Sequence, residues 1–132
     1  MGRRCLVKFG ADLLILTTSG IVSVSALLNR QSRWAEISDL VRDEFQSPAL
    51  EYRSEFGWQV SHYSGNGWLV ANVPTGKGTF KQYIYNSLLP PPDGWTCFRG
   101  QDAHCWGFLD GDIYFGGRGA VYKADTGGSD NG

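Results

Sequence analysis

The sequence predicts a mainly β protein built of antiparallel sheets with one inserted α-helix. Three observations lead there: short apolar runs rich in β-branched and aromatic residues recur along the chain, glycine-rich turn signals separate them, and a single segment carries helical periodicity. At 132 residues there is room for one domain. Folding at that length buries roughly two-thirds of the surface exposed by the unfolded chain, enough for a core without disulfides. Hydrophobic residues at 42% and charged residues at 19% exclude disorder, and the glycines follow no collagen-like repeat. The domain divides into a β-hairpin segment over 1–30, a helix over 31–48 and an antiparallel sheet over 55–132.

The first hairpin joins Leu13-Leu14-Ile15-Leu16-Thr17-Thr18 to Ile21-Val22-Ser23-Val24-Ser25 through Ser19-Gly20. The period then changes. Trp34, Ile37, Leu40, Val41 and Phe45 fall on one helical face, opposite Arg33, Glu36, Asp39, Arg42 and Asp43. The helix is expected over Arg33 to Gln46, capped by the Ser32 hydroxyl and closed by Pro48, which disfavours helical geometry at Ser47. Its plain role is to cover an apolar sheet surface.

From Phe56 the signal is strand and turn. Trp58 to Tyr63 alternates, Ser64-Gly65-Asn66-Gly67 turns, and Trp68 to Val73 runs back until Pro74. Thr75-Gly76-Lys77-Gly78 turns into Thr79 to Asn86, and a loop stiffened by Pro90-Pro91-Pro92 leads to Trp95 to Arg99. Ala103 to Leu109 and Asp112 to Phe115 flank Asp110-Gly111, a two-residue turn signal whose residues tolerate positive φ. Ala120 to Lys123 follows Gly116-Gly117-Arg118-Gly119, and a polar glycine-rich tail runs from Thr126. Laying residue 14 on residue 113 exposes an internal repeat: Leu14-Ile15-Leu16 matches Ile113-Tyr114-Phe115, Gly20 falls on Gly119, and Ile21-Val22 falls on Ala120-Val121. Strand, glycine turn and strand at recurring spacing is the pattern of blade-built architectures.

Twelve basic and 13 acidic side chains give a formal charge of -1, which removes the broad positive field that free nucleic-acid binders use. Cys5, Cys97 and Cys105 cannot all pair within one molecule, so reduced thiols are expected. Lys8, Gly10 and Asp12 interrupt any signal-peptide core, and Leu6 stands where a myristoylation site wants Ser or Thr. No apolar run approaches the roughly 20 residues of a membrane span.

The chemical motifs fail on spacing. His62 and His104 are the only histidines; His104, Cys105 and Cys97 lack a fourth ligand and paired spacing for zinc, and alternation sends His104 and Cys105 to opposite faces. Asp110-Gly111-Asp112 lacks the further oxygen ligands of a calcium loop. Gly76-Lys77-Gly78-Thr79 has Gly where a phosphate loop needs Ser or Thr, and a strand follows it. No serine sits in a Gly-x-Ser-x-Gly elbow, neither histidine has a recognisable catalytic partner, and the acidic residues of the β region sit mostly at turns. The sequence therefore nominates no catalytic, cofactor-binding or metal residue, and the protein reads as a non-enzyme. Trp34, Trp58, Trp68, Trp95 and Trp106 read mainly as core, with a sugar-stacking surface, and hence a carbohydrate-binding β module, as the alternative.

Gly67-Trp68-Leu69-Val70-Ala71-Asn72-Val73-Pro74, the Gln82-Tyr83-Ile84-Tyr85-Asn86 strand, and Cys105 to Gly117 followed by Gly119 to Gly127 resemble blade sequences of tailed-bacteriophage virion proteins. The resemblance is to the β-propeller proteins of phage tail nozzles and tail-accessory or packaged-DNA-stabilisation factors, and Leu13 to Ser25 is similar to another blade segment of that group. It implies propeller-blade-like sheets and a structural role in a virion tail or neck. It further implies synthesis in the host bacterial cytoplasm, assembly with copies of itself and other tail proteins into a ring or conduit, and non-specific passage of phage DNA during ejection. A blade takes about 40 to 50 residues and closed rings usually have at least four, so the chain is expected to supply one complete blade and part of another, an incomplete propeller. Either the chain is a fragment or reduced form of a longer protein, or neighbouring subunits complete its sheets. Open sheet edges favour pairing with other chains, and so assembly over a solitary monomer.

Overall fold

The computed structural model describes residues 3–29, 42–89 and 93–126. Among the described residues ten strands form three antiparallel sheets, and within each sheet the strands lie in sequence order. The first sheet contains β1 (Leu6–Phe9), β2 (Asp12–Thr17) and β3 (Gly20–Ser23), preceded by a 3-10 turn over Arg3–Cys5. The middle sheet contains β4 (Gln59–Tyr63), β5 (Trp68–Gly76), β6 (Thr79–Asn86) and β7 (Trp95–Phe98). The last contains β8 (Cys105–Leu109), β9 (Asp112–Gly117) and β10 (Ala120–Lys123). Between the first sheet and the middle one the described residues form α1 (Val24–Asn29) and α2 (Arg42–Tyr52). The described residues form no closed barrel, and no helix among them is long and apolar enough to cross a membrane.

The sheets stack face to face. Val60, Leu69, Ala71, Val73, Tyr83 and Tyr85 leave one side of the middle sheet and pack with Cys5, Leu14, Leu16 and Ile21 of the first. Tyr63, Val70 and Ile84 leave the other side and meet Ala103, Trp106, Ile113 and Ala124. The middle sheet is thus buried on both faces, and its central strand β5 reads as a nearly continuous apolar run from Trp68 to Val73, broken only by Asn72. The opening strands of the three sheets lie side by side, β1 against β4 and β4 against β8. Farther along, α2 fills the space between β5 and β3, with Phe45 and Ala49 fully buried one helical turn apart.

Several expectations are corrected. The first segment is a three-stranded sheet, because Leu6 to Phe9 pairs with β2 across a turn at Gly10-Ala11. The second strand of the expected hairpin ends at Ser23, where helix α1 begins. Ser23 caps that helix: its Oγ accepts from the Ala26 amide at 3.1 Å, the geometry an N-cap hydroxyl makes with the third helical residue. Asp12 completes the junction by accepting from the Ser23 and Ser25 hydroxyls and the Ser25 amide.

The longer helix runs from Arg42 to Tyr52, so Pro48 sits inside it and closes nothing. Proline removes a hydrogen bond to the carbonyl four residues back. Here the burial of Phe45 and Ala49 on either side of it offsets that loss, and Glu44 ties the helix to Lys81 of β6. Ser32, Trp34, Ile37, Leu40 and Val41, expected in the helix and its cap, lie outside the described residues. Strand β5 likewise continues past Pro74, which faces Phe80 immediately before a bulge, a place where a strand tolerates a residue without an N–H.

The Asp110-Gly111 turn forms as expected, with φ of +52° and +84°. Arg118-Gly119 repeats it at +50° and +78°.

The internal repeat is real as a strand pattern, but its offset is 100 residues and not 99. Leu6 faces Ile15 as Trp106 faces Phe115, and Thr17 faces Gly20 as Gly117 faces Ala120. The apolar match at 99 followed burial instead, since Leu14 and Ile113 are the buried residues. The reason is geometric. One unit repeated in the same orientation on either side of a middle sheet must bury opposite faces, and neighbouring residues of a strand point to opposite faces.

Phe45→Ala is expected to lower the unfolding free energy by about 3–5 kcal/mol, measured by urea denaturation, since the ring is wholly enclosed between helix and sheets. A loss below about 1 kcal/mol contradicts the wedge role assigned to α2. Hydrogen bonds from the Ser23 and Ser25 hydroxyls hold the Asp12 carboxyl down from the ordinary 3.8 to about 2. The unfolded chain then binds the proton more tightly, so this contribution to stability is present above 3.8 and lost as pH falls through about 2. Asp12→Asn is expected to flatten that part of the stability curve in acid titration of the unfolding midpoint, while an unchanged slope contradicts the assignment.

Candidate functional site

The polar groups the sequence singled out do not converge. His62 leaves the β4 face that looks toward the first sheet and tilts against Phe9 with ring centroids 4.5 Å apart; desolvation lowers its pKa. His104 lies just before β8, beside Phe80 at 4.8 Å. The three thiols are unpaired and separately placed: Cys5 is buried and donates to the Trp58 carbonyl at 3.8 Å, Cys97 is half-buried on β7, and Cys105 is exposed on β8. Among the described residues no group of three or more His, Cys, Asp or Glu side chains is arranged to hold a metal ion. Asp112 reaches Lys123 across the last sheet at 2.6 Å. Lys77-Gly78 makes a tight turn between Gly76 and Thr79, and β6 follows it. Trp58 and Trp106 are buried, and Trp68 and Trp95 are half-buried against the two cores. Trp34 lies outside the described residues.

What the fold does assemble is a polar row inside the second interface. Gln59, Asn72 and Gln82 face one another across β4, β5 and β6 and are all buried. Asn72 Nδ2 donates to the Gly57 carbonyl at 2.7 Å and the Ala103 carbonyl at 2.9 Å. Its Oδ1 accepts from Gln82 Nε2 at 2.8 Å and from the Trp106 indole at 3.2 Å. That uses the full capacity of the amide. Gln59 pairs with the backbone of Trp106 in both directions, Nε2 donating to the carbonyl at 2.8 Å and the amide donating to Oε1 at 2.9 Å. The side chain therefore does for β8 what a neighbouring strand would do.

This row fixes how the last sheet sits on the middle one, because displacement would orphan several buried groups at once. Tyr63 adds a tie from its hydroxyl to the Gly111 carbonyl at 2.9 Å. Gln82 Nε2 also reaches the Gln101 carbonyl at 3.2 Å. Sequence reasoning missed these residues, since alternation reads a polar strand residue as solvent-facing. The available signal was Asn72 standing among Val70, Ala71 and Val73 in a strand apolar on both faces.

The remaining candidate surface is the pair of outer sheet faces. Leu6, Leu13, Ile15 and Val22 share the face of the first sheet turned away from the core. Leu109, Tyr114 and Val121 share the outer face of the last, with Gly107 and Gly116 between them. A shallow open depression on α2, lined by Asp43, Gln46, Ser47, Leu50 and Glu51, lies elsewhere.

Asn72→Leu keeps the branched heavy-atom skeleton and removes every polar contact, leaving two carbonyls, an indole N–H and one Gln82 N–H without their partner. At about 1–3 kcal/mol per orphaned group, the unfolding free energy is expected to drop by roughly 3 kcal/mol or more. Hydrogen exchange should show amides of β8 to β10 losing protection before those of β1 to β3; equal loss in both sheets contradicts a clamp local to the second interface.

The chain matches no family model, no curated protein and no solved structure in the corresponding comparisons.

Proposed function

We propose that the protein is a non-enzymatic structural component of a phage virion tail or neck, assembling with further subunits into a ring or conduit. The observation that carries this reading is the stack: three antiparallel meanders packed face to face, opening strands together, with the outer face of each end sheet still apolar. Successive blades of a propeller stack in this way, each innermost strand lining the axis. The blade-like stretches Gly67 to Pro74 and Cys105 to Gly117 form β5 and β8–β9, in the middle and last sheets. On this reading the middle sheet is a full blade and the outer two are three-stranded blades.

An arc of three blades leaves a ring open. The apolar end faces then call for companions, and assembly supplies them. A formal charge of -1 suits a conduit wall, because a strongly basic lining would hold passing DNA by phosphate pairing.

The test is incorporation. With an epitope tag on the protein in the phage or prophage that encodes it, density-purified particles are expected to contain the tag, and immunogold labels should sit at the tail or neck. Tag confined to free protein, with particles formed normally, overturns the proposal.

A further inference from the structure

We infer that the chain associates head to tail with a second copy of itself, the outer face of the β8–β10 sheet of one copy packing on the outer face of the β1–β3 sheet of the next. This rests on the assembly reading above and names the partner and the faces. Its basis is the 100-residue repeat, in which the two end sheets share one strand register but bury opposite faces.

Each end sheet consequently exposes the counterpart of what the other buries. The outer residues Leu6, Leu13 and Ile15 stand at the positions of Trp106, Ile113 and Phe115, which the last sheet packs against the middle one. Conversely, outer Leu109, Tyr114 and Val121 stand at the positions of Phe9, Leu14 and Ile21, which the first sheet packs against the middle one. The first sheet is thus shaped to follow another sheet, and the last to be followed by one. A second copy provides both.

Exposure and charge agree. Leu6 and Leu13 are 48% and 40% exposed on one face, and Leu109 and Val121 are 62% and 75% exposed on the other. Gly107 carries no side chain on that second face and nothing lies within 4 Å of where one would begin, which leaves room for an apolar side chain of the next copy, while the Cys105 thiol lies over Gly116. Lys8 stands exposed beside Leu13 near the β1–β2 turn, with no ion pair among the described residues. The matching end of the other face carries Asp110 at the β8–β9 turn, beside Asp112, which is paired with Lys123. With sheets stacked in the order seen inside the chain, Lys8 meets the turn that carries the Asp110 carboxylate. The contact joins two different patches, so it has no twofold axis and propagates until a ring closes.

Leu13→Arg disables one face and Val121→Arg the other. The expected result, by light scattering of the full-length chain across a concentration series, is association of the wild type, monomers for each variant alone, and a species of twice 14.6 kDa when the two are mixed. Only a head-to-tail contact restores pairing in the mixture, because each variant keeps the face the other lacks. Thermal melting confirms that the variants fold; if either does not, Leu6→Glu and Leu109→Glu replace them with the same expected pattern. A wild type monomeric throughout, a variant that still self-associates, or a mixture that stays monomeric overturns the inference. Incorporation into particles by a protein monomeric throughout removes this interface and leaves the virion reading, whereas self-association in the expected pattern without incorporation removes the virion reading and leaves the interface.

Discussion

The structure depends on one constraint: a sheet buried on both faces that carries a row of three amides through its interior. Apolar contacts alone would let the last sheet slide over the middle one, since burial is roughly proportional to area and has little directional preference. Gln59, Asn72 and Gln82 remove that freedom. Their side-chain N–H groups and the Gln59 and Asn72 oxygens are met by one another, by the Trp106 backbone and indole and by the Gly57, Ala103 and Gln101 carbonyls, while Gln82 Oε1 is buried with no partner among the described residues. Buried polar groups are expensive when unmet, so the row selects one placement of the last sheet over its neighbours.

The two interfaces of the middle sheet are held differently. Toward the first sheet the contact is apolar and aromatic, with α2 wedged in through Phe45, whose ring lies 4.7 Å from that of Tyr83. Lys81 spans the same region, its ammonium near the Tyr83 ring and paired with Glu44. Toward the last sheet a smaller apolar cluster accompanies the amides. Orientation is thus fixed by packing on one side and by hydrogen bonding on the other, and the same strand order emerges on both.

Local signals carried much of the fold. Asp110-Gly111 could be read from two residues because its backbone requirement is met by those residues alone, and the order of the middle strands followed from turns between apolar runs. The first strand escaped notice because four residues including Lys8 carry too little pattern. The end of α2 was misplaced because the rule against proline is local, whereas the burial of Phe45 and Ala49 is not. Which face of Leu13 or Val121 meets solvent was equally illegible: both are apolar residues of short strands, and only the stacking order decides their side. The polar row was hidden for the same reason, since Gln59 and Asn72 are satisfied by residues 47 and 31–34 positions away.

The sequential strand order has a kinetic consequence. Every sheet is a meander of adjacent segments, so each ladder closes over a short stretch of chain and only the two stacking steps require distant parts to meet. Low contact order of this kind favours rapid formation of individual sheets, with docking as the later event. A nascent chain emerging from the ribosome can therefore complete one ladder after another, and little sticky strand edge waits for a partner not yet synthesised.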